Sequence, residues 1–282
     1  FPKIISAVAF CVLSIGAFTQ EKPKYDYVEA FKPFFYQNNG TETRSASGKP
    51  GHNYWQNKAD YNISASLNEA KKEVTGIVEI TYTNNSFDDL EFLWMQLDQN
   101  LFKKDSRGNS LIPMGGSRNG AKGQEFDGGY TIKSVQIDGK STKYLITDTR
   151  MQIDLANQLK AKGGVAKIKI EFSFVSPNYG SDRMGVEETK NGKIFTFAQW
   201  YPRMCVYDDI SGWNTLPYLG ASEFYLEYGT FNVNLTVPSN HFVVASGELL
   251  NEKEIYSSEQ IKKWNQARNS DKTVMIRSAA EV

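Results

Sequence analysis

Asp60-Tyr61-Asn62-Ile63-Ser64-Ala65-Ser66-Leu67 alternates polar and apolar residues, and after a polar turn at 68–72 the alternation returns in Val78, Ile80 and Tyr82. Successive side chains of a strand point to opposite faces, so two such runs joined by a polar loop predict a β-hairpin with one buried face. Asn84-Asn85-Ser86 ends it. Outward from this hairpin, residues 90–97 form a denser apolar run with Phe92 and Trp94, which predicts a strand covered on both faces. Strand patterns resume at 130–137, closed by the turn signal Asp138-Gly139, and continue at 143–146, 151–155 and 165–174. In the last of these, Ile168, Ile170, Phe172 and Phe174 share a face. Further strands are expected at 193–199, 223–237, 241–248 and 272–277, with Phe231, Val233, Leu235 and Val237 alternating up to Pro238. The convincing helix signal is short: Ser257 stands three residues before Gln260, a capping-box spacing, and Ile261 with Trp264 makes a narrow apolar stripe. Many short strands and one short helix predict an all-β fold, a large antiparallel, sandwich-like domain.

Composition agrees. Aromatic residues make up 13% of the 282 positions, including 15 Tyr and 17 Phe, types that suit a pleated, half-buried surface. Lys plus Arg and Asp plus Glu are 32 each, so the chain lacks the basic balance that displaces counterions from phosphates; no nucleic-acid partner is expected. No repeat of solenoid or propeller period is present.

The first residue is Phe1, and Lys3 precedes an apolar or small run from Ile4 to Phe18. This reads as the end of a secretory signal, residues 1–19, with cleavage before Gln20. The run is shorter than the roughly 20 residues that span a bilayer, so no transmembrane span is expected. The mature protein is expected to be exported: periplasmic, extracellular or associated with the envelope. Residues 20–58 read as a flexible N-terminal extension, with a Ser/Gly/Lys-rich stretch at 41–51, and residues 59–282 as the β domain. The final strand pattern stops at Val282 without a turn or cap, which suggests a domain incomplete at its C-terminus.

Candidate chemistry is sparse. A catalytic zinc centre commonly takes two histidines of a His-Glu-x-x-His helix and a third ligand. The chain has two histidines, His52 in the extension and His241 at a strand start, and neither has that partner. Of the two cysteines, Cys11 lies in the signal, and Cys205, between Met204 and Val206, reads as a buried structural thiol. The carboxylate pairs Asp88-Asp89, Glu187-Glu188 and Asp208-Asp209 read as turn or surface features, because neighbours in a strand point apart. The glycines between 104 and 130 lack the Gly-Lys-Ser/Thr ending of a phosphate loop and read as a plain loop.

Two blocks go beyond pattern. The first runs from Tyr54-Trp55-Gln56 through 59–63 and Gly76-Ile77-Val78-Glu79-Ile80-Thr81-Tyr82-Thr83-Asn84-Asn85-Ser86 to Leu97-Asp98-Gln99-Asn100. The second is Phe195-Thr196-Phe197-Ala198-Gln199-Trp200-Tyr201-Pro202-Arg203-Met204-Cys205-Val206-Tyr207-Asp208-Asp209, followed by a strand ending Val237-Pro238 and by Val244-Ala245-Ser246-Gly247-Glu248. Together they resemble the N-terminal saddle domain of the aminopeptidase N family of gluzincin zinc metallopeptidases, in which the first block ends on a strand. The resemblance implies that the parent protein binds zinc and removes N-terminal residues from peptides, with its own downstream catalytic domain carrying the metal. It also implies that Gln199 holds the substrate's α-amino group, since a side-chain carbonyl accepts a hydrogen bond from an ammonium. Arg203 and Met204 stand between the aromatic-Pro pair and Cys205, where the family pattern has none, so a Gln199 bonded within the sheet stays open as the alternative. Asp208 is a turn residue in either case. Two other readings remain: a scaffold of the same architecture without working ligands, and an exported β-sandwich binding module, which would expose Trp or Tyr in a groove.

Overall fold

The alternating hairpin forms as its pattern requires. In the computed structural model, which describes residues 40–111, 126–178, 183–220 and 224–278, β1 (Lys58–Asn68) and β2 (Glu73–Asn84) pair antiparallel with Ile63 opposite Val78 and Tyr61 opposite Ile80. Tyr61, Ile63, Ala65, Val78, Ile80 and Tyr82 are all buried. Asn84 then closes the hairpin from inside: its Nδ2 donates to the carbonyls of Asp88 and Lys160, and its Oδ1 accepts from the Ser86 hydroxyl at 2.6 Å.

The remaining strands are β3 (Leu90–Gln96), β4 (Thr131–Ile137), β5 (Lys140–Ser141), β6 (Tyr144–Thr147), β7 (Arg150–Leu159), β8 (Gly164–Val175), β9 (Gly185–Thr189), β10 (Gly192–Thr196), β11 (Arg203–Met204), β12 (Tyr207–Asp208), β13 (Gly212–Trp213) and β14 (Phe231–Thr236). A six-stranded sheet in the order β14-β1-β2-β8-β4-β5 faces a four-stranded sheet in the order β11-β3-β7-β6, and β9–β10 and β12–β13 are small hairpins. One apolar core joins the two sheets, with Ile63, Val78, Ile80, Ile168, Ile170 and Phe172 from the first and Leu93, Met95, Met151 and Ile153 from the second. The fold is thus all-β and sandwich-like. Asp138 and Gly139 both take positive φ, 49° and 77°, and join β4 to β5 by the two-residue turn that their types favour.

Several expectations need correction. β3 is not covered on both faces: Leu90, Leu93 and Met95 are buried, whereas Glu91 is exposed and Phe92, Trp94 and Gln96 are half-covered. Leu97 to Asn100 leave the sheet, and Asp98–Phe102 is a 3₁₀ turn with every residue buried. The strand expected at 223–237 is confined to β14, which pairs parallel to β1. In register with buried Tyr61, Ile63 and Ala65, its Phe231, Val233 and Leu235 are 46%, 42% and 41% exposed. Alternation selects a face, but burial needs a second layer over that face, and here the Tyr201 ring meets Phe231 edge-on at 6.1 Å while Val233 and Leu235 stay exposed. The patterns at 241–248 and 272–277 form no strand, because a strand needs a paired neighbour and Val244 and Met275 lie open to solvent.

The capping box is present: the Ser257 hydroxyl accepts from the Gln260 N–H, Gln260 Oε1 accepts from the Ser257 N–H, and the helix Ser258–Arg268 follows. Two short α-helical turns, Arg107–Leu111 and Glu252–Ile255, were not expected. Part of the glycine-rich 104–130 stretch lies outside the described residues, as do residues 1–39. The chain divides into two units, 1–54 and 55–282. In the first, residues 41–51 carry backbone hydrogen bonds from Thr41 to the Arg44 carbonyl and from Gly51 to the Thr43 carbonyl. No helix among the described residues is long and apolar enough to cross a membrane.

Candidate functional site

The second sequence block folds over the first. β11 pairs with β3, placing Arg203 opposite Gln96, and the Met204 N–H donates to the Tyr61 hydroxyl at 2.9 Å. Arg203 Nε lies 2.7 Å from Asp98 Oδ2 in a buried ion pair, and its guanidinium carbon stacks 4.5 Å from the Phe224 ring centre. Burial drives the Asp98 pKa above its ordinary range, and the Arg203 charge opposes that rise without cancelling it.

Beside this pair, Gln99 Nε2 donates to the carbonyls of Ala198 at 3.0 Å and Gln199 at 3.1 Å. The Tyr130 hydroxyl donates to the same Gln199 carbonyl at 3.3 Å. Tyr130 is itself fixed, since its N–H donates to Asn100 Oδ1 at 2.9 Å and Asn100 Nδ2 reaches the Asp148 carbonyl at 2.8 Å. Gln199 is not in a strand: β10 ends at Thr196, and Gln199 sits in a bend with φ +48°, a left-handed value that costs a side-chain-bearing residue energy. Its carbonyl takes the bonds just given, while its half-buried side-chain amide makes no hydrogen bond to another described residue.

The other sequence candidates fall elsewhere. His52 is exposed. His241 Nε2 lies 3.2 Å from Glu69 Oε2, and its ring meets Phe195 edge-on. Among the described residues no three His, Cys, Asp or Glu side chains converge as a metal site. The donor types explain the misfit to zinc, because His241 is engaged with Glu69, and burial pushes the Cys205 thiol up to about 12, away from the thiolate that a metal needs. Cys205 is thus the buried thiol that its neighbours suggested. Asp208 caps its turn, accepting the N–H groups of Ile210 and Ser211 at 3.0 and 2.7 Å. Asp89 pairs with Lys160 at 2.6 Å, and Asp88 accepts the Tyr207 hydroxyl at 2.8 Å. All five Trp are partly buried, and neither of two open hollows of about 710 and 390 Å³ is lined by Trp or Tyr.

Sequence reading missed Asp98, Gln99, Arg203 and Tyr130 as partners. For Asp98, Gln99 and Arg203 the one available signal was that they are polar residues inside the two specific blocks; Tyr130 lies outside both. It also missed Glu227. Burial and the nearby Asp208 charge push its carboxyl from an ordinary 4.5 up to about 7, although it accepts the Tyr207 N–H at 3.1 Å. Below pH 4.5 folded and unfolded chains both hold this proton. Between about 4.5 and 7 the folded state alone keeps it, so stability falls as pH rises and the full cost stands above 7. Glu227→Gln keeps the acceptor and removes the charge. It is expected to raise unfolding free energy at pH 8 by on the order of 2 kcal/mol, and by nothing at pH 4, in parallel urea titrations.

No family model matches the chain, and no curated protein matches it. Solved structures do. The chain is similar to a mutant M1 zinc metallopeptidase from Deinococcus radiodurans bound to a Tyr-Ser-Ala substrate, at 13% identity over 68% of this chain and 35% of that one, with a TM-score of 0.37. It is similar to native leukotriene A4 hydrolase from Saccharomyces cerevisiae at 12% identity over 49% and 18%, with a TM-score of 0.30. Aminopeptidase A of Legionella pneumophila, in complex with aspartic acid, is similar at 14% identity over 47% and 12%, with a TM-score of 0.26. The chain spans about a third of the length of the metallopeptidase.

Proposed function

We propose that this chain is the N-terminal, substrate-side part of an exported zinc aminopeptidase of the aminopeptidase N type, in which Gln199 receives the free α-amino group of a peptide. The zinc and the hydrolytic step belong to a catalytic domain downstream in the parent protein. Residues 59–282 form one wall of the cleft in this reading.

One observation carries it. Gln199, the position singled out by the resemblance, is held out of the sheet in a left-handed bend, with its carbonyl tied down and its side-chain amide without a partner among the described residues. A side-chain carbonyl so placed can accept from a substrate ammonium, and an ionised donor makes that bond stronger than a neutral pair. The bonds to Gln199 that fall on its backbone carbonyl support this reading over a side chain bonded within the sheet.

The test uses the complete protein purified with zinc and the substrate leucine p-nitroanilide. Gln199→Ala is expected to lower kcat/KM by roughly 10- to 100-fold, the loss of one charge-assisted hydrogen bond, while Gln199→Glu keeps activity. A complete, zinc-loaded protein that releases no nitroaniline overturns the aminopeptidase reading. An unchanged kcat/KM in Gln199→Ala removes Gln199 from it.

A further inference from the structure

We infer that Gln99 is a positioning residue for Gln199: it aims the Gln199 side chain at the substrate amine without touching substrate itself. The inference rests on the aminopeptidase reading above and adds a residue that the family resemblance does not supply.

The geometry is specific. Gln99 is 2% exposed, and both protons of its Nε2 are used on two successive carbonyls, those of Ala198 and Gln199. Two adjacent carbonyls in an extended chain point in opposite directions. One donor can serve both only if the peptide between them turns, and the turn appears as the positive φ of Gln199. The amide orientation is not in question, because the reverse would set Gln99 Oε1 against two carbonyl oxygens.

The arrangement leaves a defect. Gln99 Oε1 is buried with no hydrogen-bond partner among the described residues. Stability alone would favour an apolar side chain there, since an unsatisfied buried carbonyl is costly and a non-glycine residue in the left-handed region adds strain. An unpaired buried carbonyl and a left-handed residue thus meet in one contact, the kind of local cost that functional sites keep. The clamp is also two-ended. Asp98, next to Gln99, holds Arg203, so the turn from 98 to 99 grips the 198–203 segment before and after Gln199. Tyr130 adds a second donor to the Gln199 carbonyl. With its backbone so fixed, the bend sets the direction of the Gln199 Cα–Cβ bond.

The experiment compares two inhibitors of the complete, zinc-loaded protein: leucine hydroxamate, and 4-methylpentanohydroxamate, the same molecule without its amine. Gln99→Leu is expected to weaken leucine hydroxamate by about tenfold, with the amine-free analogue changed by less than about twofold. On a Gln199→Ala background the same substitution should change neither, because its effect runs through Gln199. Equal weakening of both compounds, or a loss that persists without Gln199, reduces Gln99 to a structural residue. If Gln199→Ala itself fails to separate the two compounds, the amine-binding reading falls and the positioning inference with it. Should Gln99→Leu not fold, Tyr130→Phe removes only the second donor to the Gln199 carbonyl; a loss of about threefold confined to the amine-bearing compound upholds the clamp, and no loss overturns it.

Discussion

Arg203→Ala is expected to destabilise the protein by about 3–5 kcal/mol at neutral pH, because it leaves the Asp98 carboxylate buried without its counter-charge. Asp98 is 1% exposed, and Arg203 Nε, 2.7 Å away, is the positive charge that faces it. The sign of the pH dependence follows from burial. The Asp98 pKa is already raised in the folded protein, and losing the guanidinium raises it further. Below the ordinary 3.8 both folded and unfolded chains are protonated there, and the electrostatic part of the loss vanishes. Folded wild type also keeps this proton somewhat above 3.8, so the deficit opens once pH passes the point where the wild-type carboxyl ionises and the variant's does not, and from there the variant's stability falls relative to wild type. Urea unfolding at pH 4 and pH 7 should therefore show a deficit that grows with pH. The double replacement Asp98→Leu with Arg203→Met removes both charges and is expected to lie closer to wild type than Arg203→Ala. A deficit of under about 1 kcal/mol for Arg203→Ala, equal at both pH values, would show that the pair is solvated rather than buried.

The second large effect lies where β2 crosses β8. Phe172 is fully buried, its ring met edge-on by Tyr130 at 5.5 Å, and Phe172→Ala is expected to cost about 3–5 kcal/mol. Its ring lies over Gly76, directly opposite in register. A Cβ built on Gly76 would stand 2.6 Å from Phe172 Cζ, closer than real atoms approach. The ring is fully buried and packed against Tyr130, so Gly76→Val is expected to cost about 1–3 kcal/mol by overpacking. The two losses should not add. In the double variant the valine occupies space that the ring has vacated, and the combined loss should fall below the sum of the singles in a thermodynamic cycle. Strict additivity would mean that ring and glycine do not share that space.

These two sites also show what kind of information a sequence carries. Tyr61, Ile63 and Ala65 announced their buried face because period-2 alternation is a local property of one strand, and Ser257 with Gln260 announced a helix start because a capping box closes within four residues. Gly76 in a returning strand was visible, but the reason for it was not, since Phe172 is far along the chain. Phe231, Val233 and Leu235 show the limit most plainly. Their alternation is as clean as that of β1, yet they stand exposed, because whether a face is covered depends on a second layer and not on the strand that bears it.

The candidate site divides in the same way. Gln199 was legible as a position within a specific block, and Asp208 as a turn residue. The grip on Gln199 was not legible: Gln99 lies about a hundred residues earlier, in a segment expected to be strand and found as a 3₁₀ turn. The chain by itself determined the all-β class, the hairpin at its centre, the capped helix and the block that contains Gln199, because each is decided by residues a few positions apart. Only the tertiary structure decided the parallel pairing of β14, the Asp98–Arg203 pair, the raised carboxyl of Glu227 and the left-handed bend at Gln199. All four depend on residues far apart in the chain, and for the ion pair, the carboxyl and the bend it is the exclusion of water that gives a buried charge or an unpaired amide its energy.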